Sequence, residues 1–239
     1  MTTIEINPLS YSWRRNEDSN MKIHDISMDI EPGMLYWRDG KPPEVINVFK
    51  LSDGAESEVS RWLIGAHTGT HIDAPRHFVP DGKTVEALPL ETFVGPVRVV
   101  DVAAQGDEPI TAETVRNAKL NGDKRVLFRT SNSQQRMVKK EFSKYWVGIR
   151  ADAAQALVDA GVLLVGIDYV TIEAADQTDK WPTHHILCGA GVVILEGAKL
   201  INIADGRYFM CCLPMRLKGS EAAATRTILI EGLPLDDAA

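Results

Sequence analysis

The chain has 239 residues, enough for one large domain or two small ones with a sizeable buried core. Its hydrophobic content of 44% and charged content of 25% are those of an ordinary globular protein, and no apolar run approaches the ~18 residues of a membrane span. A net charge of −7 argues against a nucleic-acid partner, which would need a basic footprint, but leaves small-molecule chemistry open. Cys188, Cys211 and Cys212 are odd in number and lack CxxC spacing, so neither a disulfide framework nor a thiolate zinc site is expected. With no basic-then-apolar leader pattern at the N-terminus, a reducing cytoplasm is the expected setting.

Residues 1–21 read as a polar N-terminal arm, with Tyr11 and Trp13 as its bulky anchors, ahead of one domain over 22–239. The arm is either loose or packed on a neighbouring subunit. Residues 22–27 alternate polar and apolar as a strand, and Glu31-Pro32-Gly33 turns out of it. His24 in that strand reads as a structural partner. Trp37 sits in a loop bounded by glycine and proline; it either anchors the loop to the core or offers a face to a planar substrate. Residues 45–51 and 59–66 form two strands about the turn at Asp53-Gly54, and the second runs directly into the densest polar cluster of the chain.

That cluster is His67-Thr-Gly-Thr-His71-Ile-Asp73-Ala-Pro-Arg-His77-Phe78, with three of the six histidines. Imidazole and carboxylate suit divalent first-row metals such as zinc or manganese. A helical reading fails, because Gly69, two threonines and Pro75 form a poor helix. In an extended chain residues 67, 71, 73 and 77 share one face, but a straight strand would spread its ends by roughly 30 Å at about 3.3 Å per residue. The chain must bend, and Gly69 and Ala74-Pro75 are where it can. A strand end followed by a tight loop is therefore expected, with His71 and Asp73 nearest the metal. Asp73 could hold one ion or bridge two.

Beyond the turn at residues 79–83, a strand covers 97–102, and Thr111 caps a helix running to about Leu120, closed by Asn121-Gly122. A strand at 125–129 precedes a long, basic, weakly patterned segment at 131–148, either a lid or simply solvated. An amphipathic helix spans 151–160 and stops at Gly161; the apolar run 162–168 reads as a strand buried on both faces. His184 and His185 follow Trp181-Pro182 in a loop, and Glu196 ends the apolar run 192–195. Strands at 210–213 and 227–230 and a frayed tail over 234–239 complete a single α/β domain with many strands, few helices and long loops.

The 67–78 motif resembles the signature HxGTHxDxPxHF of the cyclase family of metal-dependent hydrolases, which includes bacterial kynurenine formamidases and isatin hydrolases. The resemblance extends in order through residues 22–27, the Trp37 loop, 95–102, 127–131, 166–168, 184–196 and 213–230. It implies a swivelling β/β/α fold with a mixed sheet, assembled as a homodimer or homotetramer. It also implies that His67, His71 and Asp73 hold a first Zn or Mn ion, with Asp73 shared to a second; His184 would hold that second ion and Glu196 would bridge. His77 would be the acid–base group, and Trp37 would contact an aromatic substrate. The implied reaction is hydrolysis of an aryl amide or formamide such as N-formylkynurenine. An isatin-like lactam hydrolase is the close alternative, and a non-catalytic metal-dependent binding module the distant one. The arm, the loop 169–177 and the segment 131–148 depart from the formamidase pattern.

Overall fold

The computed structural model describes residues 21–233 and Leu235, so the arm apart from Met21, and the tail apart from Leu235, lie outside the described residues. The strands are β1 (Lys22–Asp25), β2 (Glu44–Phe49), β3 (Val59–Leu63), β4 (His71–Asp73), β5 (Val94–Asp101), β6 (Arg125–Arg129), β7 (Leu164–Ile167), β8 (Val193–Glu196), β9 (Gly206–Cys211), β10 (Ala222–Ala224) and β11 (Ile228–Glu231). The helices are α1 (Ala112–Asn117), α2 (Asn132–Gln135), α3 (Ala151–Asp159) and α4 (Pro182–Gly189). Nine strands form one mixed sheet in the order β1-β11-β9-β5-β6-β7-β8-β4-β10, parallel from β5 to β8 and antiparallel elsewhere. The hairpin β2–β3 stands apart as its own two-stranded sheet.

Strict alternation along the strands divides the interior into two cores. Leu127, Leu164, Val193, Leu195 and Ile72 face one side, joined by Ile26, Ala223 and Leu229 from the outer strands, so the sheet curls around this cluster. Val126, Phe128, Val165, Ile167 and Ile194 face the other, where Val115 of α1, Leu157 of α3 and Leu187 of α4 cover them. This division places the polar cluster. Ile72 lies opposite Leu195 and points into the curl, so His71 and Asp73 point to the helical side with Glu196, the register partner of His71.

Most of the elements expected from the sequence are present, with five corrections. His71 and Asp73 form a short buried strand of their own between β8 and β10, followed by the expected turn, and do not continue the strand expected over 59–66. Three residues are too short a run for periodicity to reveal, and neighbouring strands supply the pairing. The segment 182–189 is a helix rather than a loop: Pro182 lacks only an N–H that a helix's first turn leaves unpaired anyway. The segment 131–148 is tied down, since Asn132 bonds the Val147 backbone through both side-chain atoms and Trp146 is buried. Strand β10, three alanines, carries no sequence signal of its own. The helix capped by Thr111 forms with a reciprocal bond to Thr114 but ends at Asn117.

Candidate metal centre and its cavity

The approach to β4 is shaped by Gly69, whose φ of 68° is open to glycine at little cost. Thr70 then donates its hydroxyl to the Gly197 carbonyl at 2.7 Å and accepts the Met28 backbone N–H at 2.8 Å, locking the strand's entry to the exit of β8. After Asp73, Pro75–His77 forms a single 3-10 turn that carries His77 back over the strand.

His71 is 1% exposed and donates its Nδ1 hydrogen to the Gly69 carbonyl at 2.9 Å, so its Nε2 is the bare nitrogen. That Nε2 lies 3.5 Å from Asp73 Oδ1 and 3.5 Å from Glu196 Oε2, in hydrogen-bond alignment with neither. Both Asp73 oxygens are likewise buried without an aligned hydrogen bond, although His67 lies beside Oδ1 as an ion-pair neighbour. Three orphaned, ligand-type atoms at one point are what a bound cation would satisfy, since buried polar atoms otherwise find partners. His67 Nδ1 approaches Asp73 Oδ1 at 2.8 Å, and its Nε2 lies 3.4 Å from Glu221. Two sets of converging ligand atoms, each within 4.8 Å, share Asp73: His67, Asp73 and His77, and His71, Asp73 and Glu196. The donor set fits a divalent metal of the borderline class.

His184 completes the group from α4. Its Nε2 faces Glu196 Oε1 at 3.4 Å, and Glu196 also accepts the Ile172 backbone N–H on Oε1 at 2.7 Å. Glu196 therefore spans the His71 and His184 sides of the site. His185, next along the helix, is exposed and packs edge-on to Phe78 instead.

Sequence reasoning missed Glu173. Its fully buried carboxylate accepts the Thr183 and His184 backbone N–H groups at 3.1 and 3.2 Å, and the His184 Nδ1–H at 2.8 Å. It caps α4 and orients the histidine at once. The signal in the sequence was a lone glutamate in the divergent 169–177 loop, with nothing to mark it.

The charges are internally consistent. Burial alone would lower the pKa of His67, but Asp73, Glu196 and Glu221 outweigh it and lift it to about 9. Burial is likewise outweighed at His184, where Glu173 and Glu196 lift the pKa to about 9. His77 goes the other way: burial, helped by the positive His67 and His184, holds it below the ordinary value against the pull of Asp73.

The cluster floors a cavity of about 410 Å³ walled by Tyr36, Trp37, Phe78, Trp181 and the His77 and His184 rings. Trp37 is half-buried, packed edge-to-face on Phe142, Trp146 and Trp181, and also lines the space, so it is both anchor and wall. No helix among the described residues is long and apolar enough to cross a membrane.

Residues 24–174 match the Cyclase family model. A kynurenine formamidase of Salinibacter ruber is 36% identical over 210 residues, covering 87% of this chain and 97% of that protein. A solved structure described as a potential metal-dependent hydrolase with cyclase activity superposes with a TM-score of 0.77 at 36% identity, covering 90% of this chain and all of that one. Isatin hydrolase A of Ralstonia solanacearum shares the fold, with a TM-score of 0.78 at 22% identity over 88% of this chain and 92% of its own. A family model spanning well over half the chain, the intact 67–78 motif and that relative, matched almost end to end, agree: the chain belongs to the cyclase family.

Proposed function

We infer that the protein is a metal-dependent amidohydrolase that cleaves the C–N bond of an aryl amide or formamide of the N-formylkynurenine kind. The observation that carries this is the set of buried atoms on His71 and Asp73 without an aligned hydrogen bond, next to the His67 and Glu196 that line an aromatic-walled cavity. The similarity to kynurenine formamidase supports the formamide class. His67, His71 and Asp73 would hold a first Zn or Mn ion, His184 a second, and Asp73 and Glu196 would be shared between them. A bound divalent cation lowers the pKa of its water toward about 7 and polarises a carbonyl.

The remaining work belongs to side chains. His77 lies 4.3 Å ring-to-ring from His67 and borders the cavity, and its lowered pKa keeps it neutral near pH 7, able to accept a proton. It takes the proton of the attacking water and returns it to the departing nitrogen. An aryl nitrogen departs more readily than an alkyl one, and Trp37 supplies a ring face for it. His77 also lies within reach of the His67 and Asp73 ligand atoms, so the choice between base and ligand is open to direct measurement.

The assembly is a homodimer or homotetramer in the cytoplasm. Ile46, Phe49, Leu51, Trp62, Leu63 and Ile64 on or beside the β2–β3 hairpin are exposed, and a lone two-stranded ribbon is marginal in water. A second copy is the occupant we assign to it.

The deciding experiment is a substrate panel of N-formylkynurenine, isatin and simple cyclic imides, assayed before chelation, after it, and after Zn or Mn add-back. Turnover of the formamide that vanishes and returns with metal is the expected result. Full activity in stripped protein would sink the mechanism.

A further inference from the structure

Trp181 stands out among the side chains that wall the cavity. It is one of three non-glycine residues with positive φ among those described, with Lys119 and Asn121, and the one of the three that lines the cavity. Its φ of 51° and ψ of 43° are ordinary for asparagine in a turn but a true outlier for a large aromatic. The conformation is imposed from both sides. Pro182 disfavours the right-handed helical region for the residue before it. The Trp181 N–H donates to the Gln177 carbonyl at 3.2 Å, and its carbonyl accepts the His185 N–H at 3.0 Å as the first bond of α4.

What this backbone geometry positions is the indole. Its ring centre lies 5.5 Å from that of Trp37, 6.3 Å from Phe78 and 5.4 Å from His184. Among the described ring contacts, Trp181 alone joins the Trp37–Phe142–Trp146 group to the Phe78 and histidine group beside the metal ligands. A planar ring lying between the His184 side of the site and Trp37 would contact Trp181. Strain stored at a site wall, where a relaxed residue would suffice for a loop, points to use of the side chain.

We propose that Trp181 is a specificity-determining residue: its left-handed backbone sets the indole as the wall joining the metal ligands to the aromatic group, so the site prefers planar aryl amides over saturated ones of equal size. The proposal rests on the amidohydrolase reading for its substrate class, and its test is a binding measurement that needs no turnover.

Calorimetry on the metal-loaded protein compares acetanilide with N-cyclohexylacetamide in wild type, Trp181→Gly and Trp181→Phe. Wild type should prefer the aryl ligand by about ten-fold, the size of one favourable ring–ring contact. Trp181→Gly should bring the two ligands to parity with bound metal unchanged. Its Tm should fall modestly, because relief of the left-handed backbone does not offset the lost ring contacts with Trp37, Phe78 and His184, so binding is compared on folded, metal-loaded protein. Trp181→Phe should keep most of the preference. No preference in wild type, or an intact preference in Trp181→Gly, would overturn the proposal. So would a loss of bound metal in Trp181→Gly, which would show a purely structural role in starting α4. If wild type shows the preference yet hydrolyses neither ligand nor any formamide, the amidohydrolase reading fails while the wall stands.

Discussion

Glu173→Gln separates the support of the proposed ligand His184 from the ligand itself. The wild-type carboxylate accepts three hydrogen bonds, from the Thr183 and His184 backbone and from His184 Nδ1, with no exposed surface. Glutamine has the same shape but one acceptor oxygen, and its amide would oppose at least one of these donors with another donor. Losing one charge-assisted bond and leaving a buried N–H unpaired costs about 2 kcal/mol. For a chain of this length that lowers Tm by about 4–8 °C. The His184 ring also loses the acceptor that holds Nδ1 protonated and aims Nε2 at Glu196, and removing such an outer partner weakens metal binding by about 10–100-fold. The assay is competition titration of Zn with a chromophoric chelator, run beside thermal melts of metal-free protein. Stripped protein should show the Tm loss, and loaded protein the weakened affinity as well. Wild-type zinc affinity in a variant with lowered Tm would refute the orienting role and leave Glu173 as a helix cap alone.

His77→Ala should keep its metal, measured by elemental analysis, and lose about 10²–10⁴-fold in kcat; equal loss of metal would make it a ligand. In stripped protein the raised pKa of His184 contributes stability that is full below its unfolded value near 6.5 and lost as pH rises through about 9. That amounts to about 3 kcal/mol for His184, which is 3% exposed, and less for His67, which at 33% exposed is screened by solvent. Metal-free Tm should therefore fall between pH 6.5 and 9. Loaded protein should not follow, because the ligands must be neutral to bind; parallel curves would contradict the assignment. Trp62→Glu on the hairpin should convert a dimer or tetramer to monomer by light scattering, and a wild-type monomer at micromolar concentration would remove the proposed interface.

What could be read from the residues follows how locally each feature is encoded. His67, His71, Asp73 and His77 stand out because they fall within one stretch of eleven positions, and the bends at Gly69 and Pro75 were expected because their backbones demand them. The strand identity of His71–Asp73 was not legible, since pairing with β8 and β10 comes from residues more than a hundred positions away. Trp181-Pro182 read as loop punctuation, yet proline is at home on the first turn of a helix and α4 begins there. His184 and Glu196 were reached through the family resemblance, because neither carries a local mark of its role. Glu173 escaped altogether: its partners are backbone N–H groups that exist only once α4 is formed.

The place of the site follows from topology joined to charge. The parallel run of strands ends at β8, and β4 and β10 continue the sheet antiparallel, so the end of β8 is where the sheet changes direction and the connecting loops part. Alternation then puts His71 and Asp73 beside Glu196 on the helical face, below the opening. Buried there are Asp73, Glu196 and Glu173, and no lysine or arginine joins them among their described ion pairs. Carboxylates so placed must be met by positive charge or the fold pays several kcal/mol for each. Histidines are the neighbours available, and without metal they answer by taking up protons at His67 and His184. A divalent cation supplies the same charge and at the same time occupies the atoms of His71 and Asp73 that protons leave unpaired. The demand for a metal is thus written into the burial of the carboxylates.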